Sequence, residues 1–274
     1  MIELRQATLE ILVLTDAQIK VSRVFGLFDD YQRELVGLNL SVTLNPQDLE
    51  LPGRPKKPEP IPPLQVPKRR MDSLEGRVSL LHSLAHIEFN AMNLALDAIW
   101  RFPDMPKQYY EDWLRVAKEE SHHFTLVNDY IQTLGFKYGD FPAHNSLWEM
   151  VERTTDSVIA RMALVPRTME ARGLDAVPGI RDRFKQIKDA KAVEILEIIL
   201  HDEIGLVFIG NRWFNYLCGN SGLSPITAYR ELAKKYQAPT LRGPFNLVAR
   251  QQAGFTAEEL DLLESLSDKR SQVV

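Results

Sequence analysis

The sequence predicts an all-α protein whose main domain is a bundle of four long helices. Apolar residues recur with helical spacing over long stretches from Ser73 onward, and clusters of glycine and proline separate these stretches. No run of strand-like alternation interrupts them. The stretches cover residues 73–101, 107–134, 146–172 and 189–217, so each helix would be roughly 40 Å long.

Two segments precede the predicted bundle. Residues 1–44 form an N-terminal appendage, with two short amphipathic helices over residues 3–35 and Thr15-Asp16 placed as a cap between them. Residues 45–70 carry eight of the 16 prolines, a density that prevents a helix and favours an extended linker or arm along the surface. Such an arm is also a candidate for binding a protein partner.

The bundle is predicted to occupy residues 71–220, and residues 221–274 form a C-terminal extension with weaker helices near 224–236 and 256–266. The connection over residues 135–146 could extend by about 40 Å, which is enough to run the length of a bundle. Pro166 is expected to kink the third helix or to open its hydrogen-bond ladder.

Composition excludes several classes of protein. Hydrophobic residues make up 45% and charged residues 26%, values typical of folded globular proteins. The formal net charge of -4 provides no overall positive field for nucleic acid, so nucleic-acid binding is not expected. The single cysteine, Cys218, cannot form an internal disulfide. Without an export signal or an 18-residue apolar run, we predict a cytoplasmic protein with no membrane contact.

Acidic residues occupy positions where the helical stripes require core residues. Glu88 interrupts the apolar face of the first long helix, and Glu203 interrupts that of the fourth. Glu120 and His123 lie one turn apart on the inward face of the second. Spacing predicts that Glu170 of the third helix also faces inward. Glu88 and Glu120 are 32 residues apart and Glu170 and Glu203 are 33 apart, which indicates that the same pair of helices is used twice.

Buried carboxylates at these positions require neutralisation, because each unpaired buried ion costs several kcal/mol or takes up a proton. Glutamates from two helices with Glu-x-x-His from the other two form the pattern of di-iron and di-manganese carboxylate proteins. Oxygen and nitrogen donors of this kind suit iron or manganese. The sequence therefore predicts one or two such ions per chain, with Glu88, Glu120, His123, Glu170 and Glu203 as candidate ligands.

A purely structural interpretation remains open for each residue taken alone. A lone glutamate in an apolar stripe more often extends towards solvent, and a lone histidine is more often a core residue than a ligand. The matched spacing of the four glutamates favours metal for them, and the position of His123 one turn after Glu120 favours metal for that histidine. We predict that His122 faces away, that His201 is not a ligand, and that His82 and His86 support the ligands or lie at the surface.

Longer motifs surround these residues: Ala85-His86-Ile87-Glu88, Leu94-Ala95-Leu96-Asp97, Glu120-Ser121-His122-His123-Phe124, 138–144, 161–167, 170–175, Asp202-Glu203-Ile204-Gly205, 210–214, 243–246 and Ala249-Arg250. In these motifs the chain resembles the ferritin-like superfamily, and more closely the bacterial family known as domain of unknown function 455. The resemblance implies a ferritin-like four-helix bundle with metal ligands at the five residues named above. The second Glu-x-x-His would place a histidine at position 206, where this sequence has Leu206, so the second metal position should be weaker, differently filled, or completed by water or another side chain.

Three functions fit the sequence. The leading hypothesis is a dinuclear iron or manganese oxidoreductase that uses O2 or peroxide and acts on an unknown small molecule. The second is a metal-binding protein without catalysis, for storage or sensing, and the third is a degenerate scaffold that acts through protein partners of the arm. Hydroxylation of a nucleoside in RNA, known for ferritin-like relatives, is disfavoured by the net charge. An oligomer is compatible with each hypothesis.

Overall fold

The computed structural model describes residues 2–41, 49–67 and 69–271, with side chains described up to residue 265. The described residues are mostly helical, which confirms the all-α class. The chain divides into two compact units, Met1–Trp148 and Glu149–Val274. The predicted assembly of four helices into one ferritin-like bundle, and the predicted domain boundaries, stay predictions.

The first unit contains the N-terminal helices and the first two long helices. Its elements are β1 (Ile2–Glu3), α1 (Leu4–Leu12), α2 (Ala17–Gln32), β2 (Val36–Gly37), α3 (Leu74–Arg101) and α4 (Lys107–Thr133). The two short strands pair in parallel, which the sequence did not predict. The predicted cap is confirmed, since Asp16 accepts a hydrogen bond from the Ile19 N–H at 2.9 Å.

The proline-rich arm is held along the loop that follows α4. The Ile61 N–H donates to the Ala143 carbonyl at 2.9 Å, and the Ala143 N–H donates to the Glu59 carbonyl at 3.4 Å. These bonds form a short parallel bridge that attaches the arm to the first unit. Within the predicted arm, residues 45–48 and Lys68 lie outside the described residues.

Lys20 is a buried cation that joins four segments of the first unit. Its Nζ donates hydrogen bonds to the Leu12 carbonyl at 3.0 Å, the Gly53 carbonyl at 2.7 Å and Asn93 Oδ1 at 2.7 Å. Burial lowers the pKa of Lys20 to about 7, and Arg54 adds to this effect. The three acceptors nevertheless match the three N–H groups of a charged ammonium, so the site fits the protonated form.

The second unit contains the other long helices and the C-terminal ones. After α5 (Ser146–Arg153), which spans the division between the units, come α6 (Val158–Leu164), a π-helical turn (Val165–Glu170), α7 (Ala171–Gln186), α8 (Ala190–Asn220), α9 (Pro225–Lys235), α10 (Leu247–Gln252) and α11 (Ala257–Ser271). The predicted fourth helix and both C-terminal helices are confirmed. No helix in the described ranges is both long and apolar enough to cross a membrane.

The prediction of one continuous helix over residues 146–172 is wrong. Ser157 starts a new helix by accepting a hydrogen bond from the Ala160 N–H at 3.3 Å. Pro166 has no N–H, and the ladder widens there into the π-helical turn, as expected for this proline. The helix then continues through Gly173 and Pro178 to Gln186, because packing of α7 against α8 outweighs the weak helix propensity of these residues.

Replacing Lys20 tests whether this buried ammonium holds the first unit together. We expect Lys20→Met to lower the free energy of unfolding by roughly 3 kcal/mol, because three buried acceptors lose their donor. Urea unfolding followed by circular dichroism measures this change. Arg23→Met is the matched control, because Arg23 is exposed on the same helix. Equal stability of the two variants would contradict the assigned role of Lys20.

Candidate metal centre

Three of the predicted ligands lie together in the interior of the first unit. Glu88 lies in the middle of α3, and Glu120 and His123 lie one turn apart on α4, which packs against α3. The exposed fractions are 4% for Glu88, 1% for Glu120 and 0% for His123. One ligand atom from each residue lies within 4.8 Å of the others. The inward direction predicted for all three side chains is therefore correct.

The distances between these atoms suit a small cation. His123 Nδ1 lies 3.5 Å from Glu88 Oε2 and 3.5 Å from Glu120 Oε2. These separations are long for charge-assisted hydrogen bonds. They are close to the separations of about 3 to 3.5 Å that neighbouring ligand atoms adopt at bond lengths of about 2.1 Å.

The electrostatics of the cluster also favour a cation. Burial raises the pKa of Glu120 to about 8, although His123 opposes the rise and Glu88 adds to it. Glu120 Oε2 is buried and makes no hydrogen bond within the described residues. A divalent ion would offset the charge of both carboxylates and give this oxygen a partner. The residues present therefore fit a metal ion.

An aromatic and histidine network lies beside the ligand positions. Tyr138 packs on the two rings that directly follow candidate ligands in the sequence, with centroid distances of 5.7 Å to Phe89 and 5.0 Å to Phe124. The Tyr138 hydroxyl lies 2.8 Å from His86 Nδ1. Among the described residues, the metal-type cluster contains Glu88, Glu120 and His123 and neither His86 nor His82.

His82 is fully buried in this network and is neutral at pH 7. Its Nε2 accepts a hydrogen bond from the Gly139 N–H at 2.8 Å, and its ring stacks on Tyr138 at 5.4 Å. Burial lowers the pKa of His82 to about 4, although Asp140 opposes the shift. Sequence reasoning missed the network because Tyr138 lies in a loop, which has no periodicity. The four-residue spacing of His82, His86 and Asn90 was its only visible signal.

The other two predicted ligands belong to the second unit. Glu170 ends the π-helical turn and Glu203 lies within α8, and each is 5% exposed. Gly173 approaches Glu203 so closely that a Cβ there would lie 3.1 Å from Glu203 Oε1. Leu206 is buried, so the position expected to hold a second histidine carries no donor. Metal binding by Glu170 and Glu203 stays a prediction.

Two more histidines are placed as predicted. His122 of α4 and His201 of α8 are both exposed, and neither belongs to the metal-type cluster.

The fold and the site define a mostly helical protein with a buried cluster of two carboxylates and one imidazole that could hold a metal ion. Residues 14–261 match the family described as Protein of unknown function (DUF455), and the chain belongs to this family. It is 47% identical over 253 residues to a Haemophilus influenzae protein named "Uncharacterized protein", covering 89% of this chain and 88% of that protein. No solved structure matches the chain.

The low pKa of His82 predicts acid destabilisation. Between pH 6.5 and 4 the unfolded chain binds a proton at His82 that the folded chain does not, so stability falls as the pH falls through this window. We expect His82 to contribute about 3 kcal/mol to this loss. His82→Gln should therefore flatten the pH dependence of urea unfolding, measured on chelator-treated protein.

The exposed His201 provides the matched control for this experiment. His201→Gln, at an exposed position of α8 outside the network of His82, should leave the pH dependence as in the wild type. An unchanged slope in His82→Gln would show that His82 does not resist protonation in the folded chain.

Proposed function

We propose that this protein binds iron or manganese through Glu88, Glu120 and His123 and acts as a dinuclear carboxylate oxidoreductase that uses O2 or peroxide. The observation that carries the proposal is the convergence of two carboxylates and one imidazole, with ligand atoms within 4.8 Å, in a buried position. The resemblance of the motifs to the ferritin-like superfamily supports the same reaction class.

The donor set favours iron or manganese over other metals. Carboxylate and imidazole donors suit these two metals, whereas calcium prefers oxygen donors alone and soft metals prefer thiolates. Cys218 is buried in the second unit and is the only cysteine of the chain. Three protein donors leave coordination positions open for a co-substrate, as a catalytic metal requires.

The residues around the ion have distinct roles in this proposal. A bound iron or manganese ion would supply redox chemistry towards O2 or peroxide. Glu88 and Glu120 offset its charge, and Glu120 gives up the proton that its raised pKa favours. His123 supplies a neutral nitrogen donor. Phe89 and Phe124 lie directly after ligands and pack at 5.7 Å, which helps to exclude water.

A second ion needs donors beyond these three residues. Glu170 and Glu203 are the carboxylates that we propose for this purpose. Because Leu206 stands where a second histidine is expected, the second ion should bind more weakly than the first.

Leu206 also favours a second candidate function. A buried apolar side chain at this position fits a metal-binding protein without catalysis, or a degenerate scaffold that acts through protein partners. The proline-rich composition of the arm supports an interaction role, because extended proline-rich segments are recognised in the grooves of partner domains.

Metal content per chain tests the proposal. Protein expressed without an affinity tag in medium with iron and manganese should contain between one and two of these ions per chain by elemental mass spectrometry. Glu120→Gln and His123→Gln should lose most of this metal. Glu119→Gln and His122→Gln are matched controls on the same helix and should keep it, because His122 is exposed and Glu119 is half-buried outside the cluster.

The outcomes separate the candidate functions. The oxidoreductase is supported if the reduced, iron-loaded protein develops new absorbance on exposure to air and Glu120→Gln does not. Bound metal without this absorbance change supports metal binding without catalysis. Wild-type protein without metal would contradict both and favour the scaffold. Leu206→His should raise the metal content if Leu206 weakens the second position.

A further inference from the structure

The second unit contains a cavity of about 430 Å³ that the metal proposal does not use. One face of α9, residues 238–241, Phe255 and α11 form its walls. This volume lies within the range of small-molecule sites. The cavity is therefore a candidate ligand site in its own right.

Apolar side chains form most of the cavity lining. Ile226, Tyr229, Arg230 and Ala233 line it from one face of α9, at the spacing expected of a helix face. Leu262 and Leu263 are among the residues that line it from α11. A ligand that fills this space needs an apolar body.

The charges at the cavity are predominantly positive. Among the described side chains, Arg167, Arg230 and Arg250 line it, against one acid, Glu259. Arg167 forms an ion pair with Glu259, and Arg250 forms one with Asp175 at 2.6 Å. Arg230 is exposed and pairs with no acid in the described part of the chain. One positive charge is therefore available to a ligand.

The two buried arginines are fixed in place and incompletely satisfied. The Arg167 guanidinium lies 4.9 Å from the centroid of the Phe255 ring and 5.3 Å from that of Tyr229. Arg167 Nε and Arg250 Nη1 are buried and make no hydrogen bond within the described residues. A nearby anion would reduce the cost of burying these cations. The unsatisfied N–H groups of these two arginines, together with the charge of Arg230, favour an anion over a neutral or cationic ligand.

We propose that this cavity binds a small organic anion with an apolar body, of the class of medium-chain or aromatic carboxylates. The apolar body lies between α9 and α11, and the carboxylate pairs with Arg230 in the field of Arg167 and Arg250. The site belongs to the second unit and does not depend on metal at Glu88, Glu120 and His123.

Displacement of a fluorescent probe tests this site in the full chain. Anilinonaphthalene sulfonate, an aromatic anion, should bind saturably, and decanoate should displace it. Decanol and decylamine should displace it at least tenfold less well, because they lack the negative charge. Equal displacement by decanol, or no displacement by decanoate, would overturn the proposal.

Two variants with matched controls locate the binding. Arg230→Gln should weaken decanoate binding roughly fivefold, whereas Arg183→Gln, at an exposed position of α7 outside the cavity, should not. Ala233→Trp fills the cavity and should weaken binding at least tenfold, whereas Ala176→Trp, also exposed on α7, should not.

Circular dichroism and metal content of each variant check that the chain is folded and that the metal centre is intact. Unchanged decanoate affinity in folded Ala233→Trp would overturn the proposal. If that variant does not fold, unchanged affinity in Arg230→Gln would overturn it instead.

Discussion

The burial of Glu88 and Glu120 beside His123 is the constraint on which the account of the metal centre depends. Two carboxylates in a low-dielectric interior cost several kcal/mol unless a proton or a cation accompanies them. The pKa of Glu120 is raised to about 8 because burial disfavours its charged form. A divalent ion offsets this free-energy cost at neutral pH. Without the ion, the packing of the long helices α3 and α4 has to offset the cost.

In the second unit the buried charged groups are cations, and the same argument applies with the charges reversed. Arg167 and Arg250 are buried as deeply as the glutamates, and each has one acidic partner and neighbouring aromatic rings. Their remaining donors favour anions, just as the glutamate cluster favours cations. The buried polar atoms that lack a hydrogen-bond partner within the described residues thus indicate the class of ligand at each site: a carboxylate oxygen at the site in the first unit and N–H donors at the site in the second.

The sequence predicted the elements and residues that have a periodic signal. Helices α1 to α4 and α8 follow the 3.6-residue repeat, and Glu88 was visible because it interrupts an apolar stripe. The opening of the hydrogen-bond ladder at Pro166 was predicted, but the extension of α7 beyond Gly173 was not, because packing decides whether glycine and proline break a helix. Tyr138 was missed because a loop residue contributes to no stripe, and Arg167 because a buried arginine depends on partners distant in sequence.

Anomalous X-ray diffraction at the iron or manganese edge, from crystals of the full chain grown with the metal, tests the central claim most directly. The account predicts an anomalous peak at about 2.1 Å from carboxylate oxygens of Glu88 and Glu120 and from His123 Nδ1. Metal-loaded crystals with no peak at these residues, or with a peak only elsewhere in the chain, would contradict it.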